Sequence, residues 1–151
     1  IEHITPPGTL EGGDVLRAED HFYIGLSSRT NKAGAEQLIG ILKKYGYSGS
    51  AVNLKHMLHL KTGIAYVGRG IFLTAGECIN HPVFTNQDNI LVEDKEAYAA
   101  NAIAVNGNVL IPSGFPSTRK KIEAAGLPVI ELDVSEFQKM DGGLSCLSLR
   151  F

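Results

Sequence analysis

Little in this sequence runs to an extreme, and each absence removes a class. It has only two cysteines in 151 residues, too few for a disulfide framework, so both thiols are expected to be free in a reducing cytoplasm. No apolar run approaches the roughly 18 residues that a membrane-spanning helix needs, and the first residues lack a signal-peptide pattern. A formal net charge of -2 gives no basic field that would attract nucleic acid. There is no low-complexity stretch and no linker. The chain also lacks any element before its first motif: it opens IEHITPPGTLEGGDVL, without a Met, like the middle of a domain. An upstream segment is therefore expected. What remains is ordinary globular composition, 44% hydrophobic and 20% charged, at a length that suits one domain with a sizeable core.

Periodicity supplies the organisation. Val15 to Leu16 and Phe22 to Leu26 read as a strand pair around the charged turn RAEDH. A helix is predicted from about Asn31 to Tyr45, with Ala35, Leu38, Ile39, Leu42 and Tyr45 at helical spacing, Thr30 as N-cap and Gly46 as stop. A strand near Ser50 to Leu54 follows. GIAYV, GRG and IFLT then form a second hairpin, ECINHPVFTNQD a connector with little helical signal, and NILVE a strand. A third hairpin, AIAVNGNVLIPS, turns at Asn106-Gly107, the strongest short-range hairpin signal. STRKKIEAAG is a helix capped by Ser117 and ended by Gly126, and PVIEL is its strand. SEFQ has the capping-box spacing of Ser135 and Gln138, and a final strand is expected to carry Cys146. The chain thus reads as three strand-strand-helix-strand units, an α/β (α+β) pattern whose repetition suggests radial or stacked assembly.

Four stretches concentrate chemistry: LEGGDVL, GLSSRTN, HMLHLKT and GGLSC. Each places a reactive or charged residue at a strand end or in a Gly-rich loop. Together they offer Glu11, Arg29, His59 and Cys146. A thiol, an imidazole and a carboxylate are the parts of nucleophilic catalysis. A free thiol, of pKa about 8.5, is only slightly ionised at neutral pH. A neighbouring His can raise that fraction and deliver a proton to a leaving amine, while a carboxylate behind it fixes the tautomer. On residues alone the plainer readings stay open. Cys146 could be a small buried strand residue, His59 a hydrogen-bonded core histidine, and Glu11 or Asp14 an acid bracing the Gly12-Gly13 turn. Arg29 could be a solvated loop cation, and His56 competes with His59. Lys61 reads as an exposed strand charge, and Cys78 with His81 is a weak zinc signal because no second pair accompanies it.

These four motifs, in this order and across essentially the whole chain, resemble the guanidine-modifying (amidinotransferase, or pentein) superfamily, and within it the dimethylarginine dimethylaminohydrolase branch. The resemblance implies a propeller of five repeats around a central site, of which residues 1–151 would hold about three, the carboxy-terminal part of a single catalytic domain. It implies Cys146 as nucleophile on the guanidinium carbon, His59 as proton carrier and Glu11 as the acid holding His59. Arg29 would clamp the substrate α-carboxylate and the Met140 carbonyl would receive the α-amino group; Asp14 is the nearby acid, either substrate-binding or part of the turn. No metal and no organic cofactor is implied, because the substrate brings its own electrophilic carbon. The implied partner is a small methylarginine, with citrulline and an alkylamine as products and a link to arginine metabolism and nitric oxide regulation. A homodimer is compatible with it; nucleic acid and membrane are not expected. Deiminases and amidinotransferases of the superfamily carry an acid two residues after the catalytic His, whereas HLK puts Lys61 there, where a cation cannot grip a guanidinium. That favours methylarginine over arginine or agmatine. The third reading, of another class, is a pentein fragment that only binds.

Overall fold

Three times the chain makes the same local move: a hairpin, a crossover, and a strand returning parallel to the hairpin's second arm. The computed structural model describes residues 1–149 and divides them into two compact units, Ile1–Lys61 and the chain from Thr62 onward. In the first, the RAEDH turn joins β1 (Val15–Ala18) to β2 (His21–Leu26), paired antiparallel from Val15 with Ile24 to Ala18 with His21. A parallel partner needs a crossover, and α1 (Lys32–Lys44) supplies it. β3 (Ser48–Asn53) then lies along β2, His21 opposite Ser48 and Leu26 opposite Asn53. α1 buries Gly34, Ala35 and Leu42, and Leu38 and Ile39 are half-buried as their spacing predicts. Two details differ from the sequence reading. Tyr45, expected on the apolar face, is the C-cap and is 64% exposed. The N-cap is Asn31, whose Oδ1 accepts from Gly34 N–H at 2.8 Å; Thr30 sits one residue early and its hydroxyl is used elsewhere.

The second unit holds the other two repeats. β4 (Ile64–Gly68) and β5 (Ile71–Thr74) form a hairpin, and β6 (Asp88–Leu91) joins β5 in parallel. As the weak periodicity of ECINHPVFTNQD suggests, the crossover here is a short 3-10 turn, Gly76–Cys78, followed by hydrogen-bonded turns; Pro82 cannot donate the N–H a helix would need. β7 (Ile103–Val105) and β8 (Asn108–Pro112) meet at Asn106 and Gly107, both at positive φ, 49° and 76°. That is the twist a two-residue hairpin requires. α2 (Pro116–Ala124) carries the chain to β9 (Val129–Leu132), parallel to β8. The core of this unit is one cluster including Leu73, Val92, Val109, Ile111, Ile122 and Leu127. Each such fully buried aliphatic side chain contributes about 1.5–3 kcal/mol. Each sheet has three strands, the hairpin's second arm in the middle. Among the described residues no helix is long and apolar enough to cross a membrane.

Three further expectations are corrected here. Ser117 is not the cap of α2 but lies inside it, with Pro116 at the first helical position. The free N–H groups of Ser117 and Thr118 are taken by the Glu96 carboxylate at 3.2 and 2.7 Å, and the Ser117 hydroxyl donates to Glu93 at 3.0 Å. Ser135 likewise is the first residue of α3 (Ser135–Gln138) and forms no capping box; its N–H donates to Asp133 Oδ1 at 3.0 Å. The stretch expected as a last strand is a 3-10 turn, Leu144–Leu147. Its Cys146 N–H closes locally on Gly143 O at 3.0 Å, which takes it out of any ladder.

Candidate active site

Glu11 stands just before a 3-10 turn, Gly12–Asp14, that leads into β1. Its backbone is held from both sides: Glu11 N–H donates to Thr30 Oγ1 at 3.0 Å, and Asp14 N–H to Glu11 O at 3.0 Å. Asp14 is the hub of this frame. It is fully buried, and its Oδ2 accepts from the hydroxyls of Ser27 (2.7 Å) and Thr30 (2.6 Å) while Oδ1 accepts from Leu60 N–H (3.0 Å). One carboxylate thus joins the start of β1, the loop after β2 and the residue next to His59. A buried charge is tolerated only when so satisfied. Of the two roles open to Asp14 in the sequence, this geometry serves the structural one, since both oxygens are already occupied inside the fold.

That frame brings His59 to Glu11. His59 Nε2 lies 2.6 Å from Glu11 Oε2, so the ring N–H donates to the carboxylate and Nδ1 is left for chemistry. The imidazole is half-buried, its side chain 19% exposed, and it rests on Gly13: a Cβ there would fall 2.7 Å from His59 Cγ. Arg29 Nη1 approaches both Glu11 oxygens at 3.3 and 3.4 Å. Glu11 is held below the ordinary glutamate range, first by its hydrogen bond to His59, against partial desolvation, and then by the hydrogen bond and charge of Arg29. An imidazole anchored on a carboxylate kept anionic can take and give a proton without turning.

Of the residues singled out in the sequence, Glu11, Arg29, His59 and Asp14 are gathered in the first unit. His56, the rival, is exposed, and the ring that meets Glu11 is that of His59. Lys61, expected on a strand, is half-buried in a 3-10 turn, Leu60–Thr62. Cys146 and Met140 belong to the second unit, both exposed; Met140 stands 86% open in the loop after α3. The other thiol, Cys78, is buried and pushed up to about 12, by burial first and then by the charge of Glu77. The sequence reading missed Thr30, which spans Glu11 and Asp14, and Gly13, the floor beneath His59. Thr30 looked like a helix cap. The signal for Gly13 was available: a glycine beside a functional acid marks a close approach.

Hairpin-crossover-strand repeats with an acid, an imidazole and an arginine converging at loop ends define the class. The three repeats have the fold seen in solved structures of guanidine-modifying enzymes, which this chain resembles. An amidinotransferase of the saxitoxin biosynthetic pathway from Microseira wollei has the same fold, with a TM-score of 0.76 at 17% identity over 91% of this chain and 46% of that one. Within that class the resemblance narrows to the dimethylarginine dimethylaminohydrolases. The chain is 52% identical over all 151 residues to the Pseudomonas aeruginosa dimethylarginine dimethylaminohydrolase, of which it spans 59%. It is 30% identical to the Streptomyces coelicolor one over 154 residues, 99% of this chain and 57% of that protein. A structure of the P. aeruginosa protein, a Cys-to-Ser mutant complexed with citrulline, matches with a TM-score of 0.94 over 98% of this chain and 58% of that one. No protein-family model matches the sequence. The chain therefore spans less than two thirds of the length of these relatives.

Proposed function

We propose that this chain carries the chemical groups of an N-methylarginine hydrolase, as the carboxy-terminal part of one catalytic domain. The observation that carries the reading is the 2.6 Å bond from His59 Nε2 to Glu11 Oε2, found in a sequence 52% identical to a dimethylarginine dimethylaminohydrolase. In this reading the Cys146 thiolate attacks the guanidinium carbon and a C–S bond forms. The C–N bond to the methylated nitrogen breaks as His59 gives that nitrogen its proton, and dimethylamine or methylamine leaves. The resulting thiouronium carbon is attacked by water, which gives one proton to His59, and rupture of the C–S bond, with the remaining hydroxyl proton passing to solvent, releases citrulline and restores the thiolate. Glu11 keeps the imidazole oriented and offsets its charge at each stage.

Arg29 has the planar fork suited to an α-carboxylate, and its present partner, Glu11, is a carboxylate already. Substrate would exchange one carboxylate for another there. The exposed loop of Met140 offers a backbone carbonyl to the α-ammonium group. Lys61 in place of an acid selects against an unmethylated guanidinium. On the same reading the enzyme works in the cytoplasm, on methylarginines that bear on nitric oxide regulation, and a homodimer is compatible with it. The test is citrulline release by the intact protein from asymmetric dimethylarginine, monomethylarginine and arginine. Release from the methylated substrates alone supports the proposal. Preference for arginine would assign a deiminase, and ligand binding with no turnover would assign a binding protein.

A further inference from the structure

The turn that bears Cys146 is not held by its own residues. The 3-10 turn Leu144–Leu147 has Gly143 at its N-cap, where a side chain would normally accept from the first N–H groups. Glycine offers none. Cys146 N–H closes on Gly143 O at 3.0 Å, and Ser145 N–H donates instead to Asn101 Oδ1 at 2.8 Å, across 44 residues of sequence. Space explains the substitution of roles. A Cβ on Gly143 would lie 2.5 Å from Asn101 Nδ2 and 2.6 Å from its Cγ, so the Asn101 amide fills the volume that a cap at position 143 would need. Beside it, Tyr98 Oη donates to Gly142 O at 2.6 Å. Tyr98 lies within one 3-10 stretch, Asp94–Ala100, and Asn101 is its C-cap. That stretch is anchored by its buried Ala99 and Ala100 and by Glu96, which accepts from Thr118 N–H and Oγ1 at 2.7 and 2.8 Å. Burial, and then the nearby charge of Cys146, raise the Tyr98 hydroxyl above its ordinary value, which keeps it protonated and able to donate.

We propose that Asn101 is a positioning residue for the Cys146 nucleophile, an N-cap supplied from outside the turn, with Tyr98 as the second point of the brace. This rests on the reading of Cys146 as nucleophile given above. Asn101 touches no reacting atom. It holds the Ser145 N–H next to Cys146, while Tyr98 holds Gly142 O, so its loss should move the thiol and leave the substrate's other contacts in place.

The experiment compares Asn101→Ala, Asn101→Asp and Tyr98→Phe in the intact protein, reading kcat, KM, melting temperature and the pH profile of Cys146 alkylation by 2-chloroacetamidine. Asn101→Ala should lower kcat by about tenfold to hundredfold, the scale of a catalytic group misplaced by up to an ångström, with KM within about threefold. Asn101→Asp keeps the acceptor oxygen and should recover most of that loss. Its added charge should also shift the alkylation profile to higher pH, because a neighbouring anion disfavours the thiolate. Tyr98→Phe keeps the ring and removes only the donor, and should lower the alkylation rate severalfold with the fold intact. Wild-type kcat and alkylation in Asn101→Ala overturn the proposal. If that variant does not fold, wild-type alkylation in Tyr98→Phe overturns it. Turnover surviving in Cys146→Ser would remove the nucleophile and the proposal together, whereas normal labelling of Cys146 with indifferent Asn101 and Tyr98 variants removes the brace alone.

Discussion

The contact between His59 and Gly13 can be turned into a rate. A Cβ on Gly13 would lie 2.7 Å from His59 Cγ, 2.9 Å from Cδ2 and 3.0 Å from Nδ1. Carbon pairs settle at about 3.5–4.0 Å, so Gly13→Ala must lift the ring by about 1 Å. The ring is tied through Nε2 to Glu11 at 2.6 Å, and the Glu11 backbone is held by Thr30 and Asp14. The lift therefore carries the ring out of line with the Glu11 carboxylate and moves Nδ1 by a similar distance from its place. A displacement of that size costs on the order of 100-fold in rate, or about 2.7 kcal/mol of transition-state stabilisation. Gly12 is the internal control: a Cβ there meets nothing within 4 Å. Neither glycine has a positive φ, so backbone strain does not separate them. The assay is citrulline release at saturating dimethylarginine, with a thermal melt of each variant. Gly13→Ala should fall about 100-fold in kcat while Gly12→Ala stays near wild type and both melt alike. Equal rates in the two variants would refute the reasoning, because the ring would then not need the floor it rests on.

The two thiols should separate under a haloacetamidine: exposed Cys146 takes one equivalent near neutral pH, while Cys78, buried and raised to about 12, takes none; mass mapping that finds Cys78 labelled first would overturn the assignment. Asp14→Ala leaves the Leu60 N–H and two hydroxyls without their acceptor and should destabilise the protein by about 3 kcal/mol or more, read from urea unfolding; a loss below about 1 kcal/mol would mean Asp14 is not the hub. The Glu11 carboxyl, held low, keeps its grip on His59 in full above the ordinary value of about 4.3 and loses it only as pH falls through the lowered one. A carbon-13 titration should therefore give a midpoint below about 4.3 that rises in His59→Ala; a midpoint that ignores that substitution would show that the imidazole is not what holds it down.

The hairpins were legible because their turn chemistry is local. Asn106-Gly107 and the glycines around Arg69 specify positive φ whatever surrounds them, and the period-2 runs on either side need no tertiary information. α1 was legible from its apolar spacing to within a residue or so. What misled were the caps. Thr30, Ser117 and Ser135 all have cap chemistry, but each N-terminal donor set is served by a different oxygen: Asn31 at the next position, Glu96 from another element, and Asp133 two residues back. Which oxygen wins is decided by packing, and a short window cannot see it. The last strand failed for the same reason, since Ser145 N–H finds Asn101 across 44 residues. In the site, reactive residue types at loop ends pointed to Glu11, His59 and Arg29, whereas their supports, Thr30 and Gly13, act through a backbone N–H and an empty volume and leave no chemical signature.

Each three-stranded sheet draws all its strands from one contiguous stretch: Val15 to Asn53, Ile64 to Leu91, and Ile103 to Leu132. Pairing within a sheet closes only modest loops, whose entropy cost grows slowly with length. A residue inserted between α2 and β9, for example, would be absorbed where it falls and could not shift the register of β4 with β5. Natural variation can thus resize one connecting segment at a time while the strand pairing of the other two sheets stays as it is.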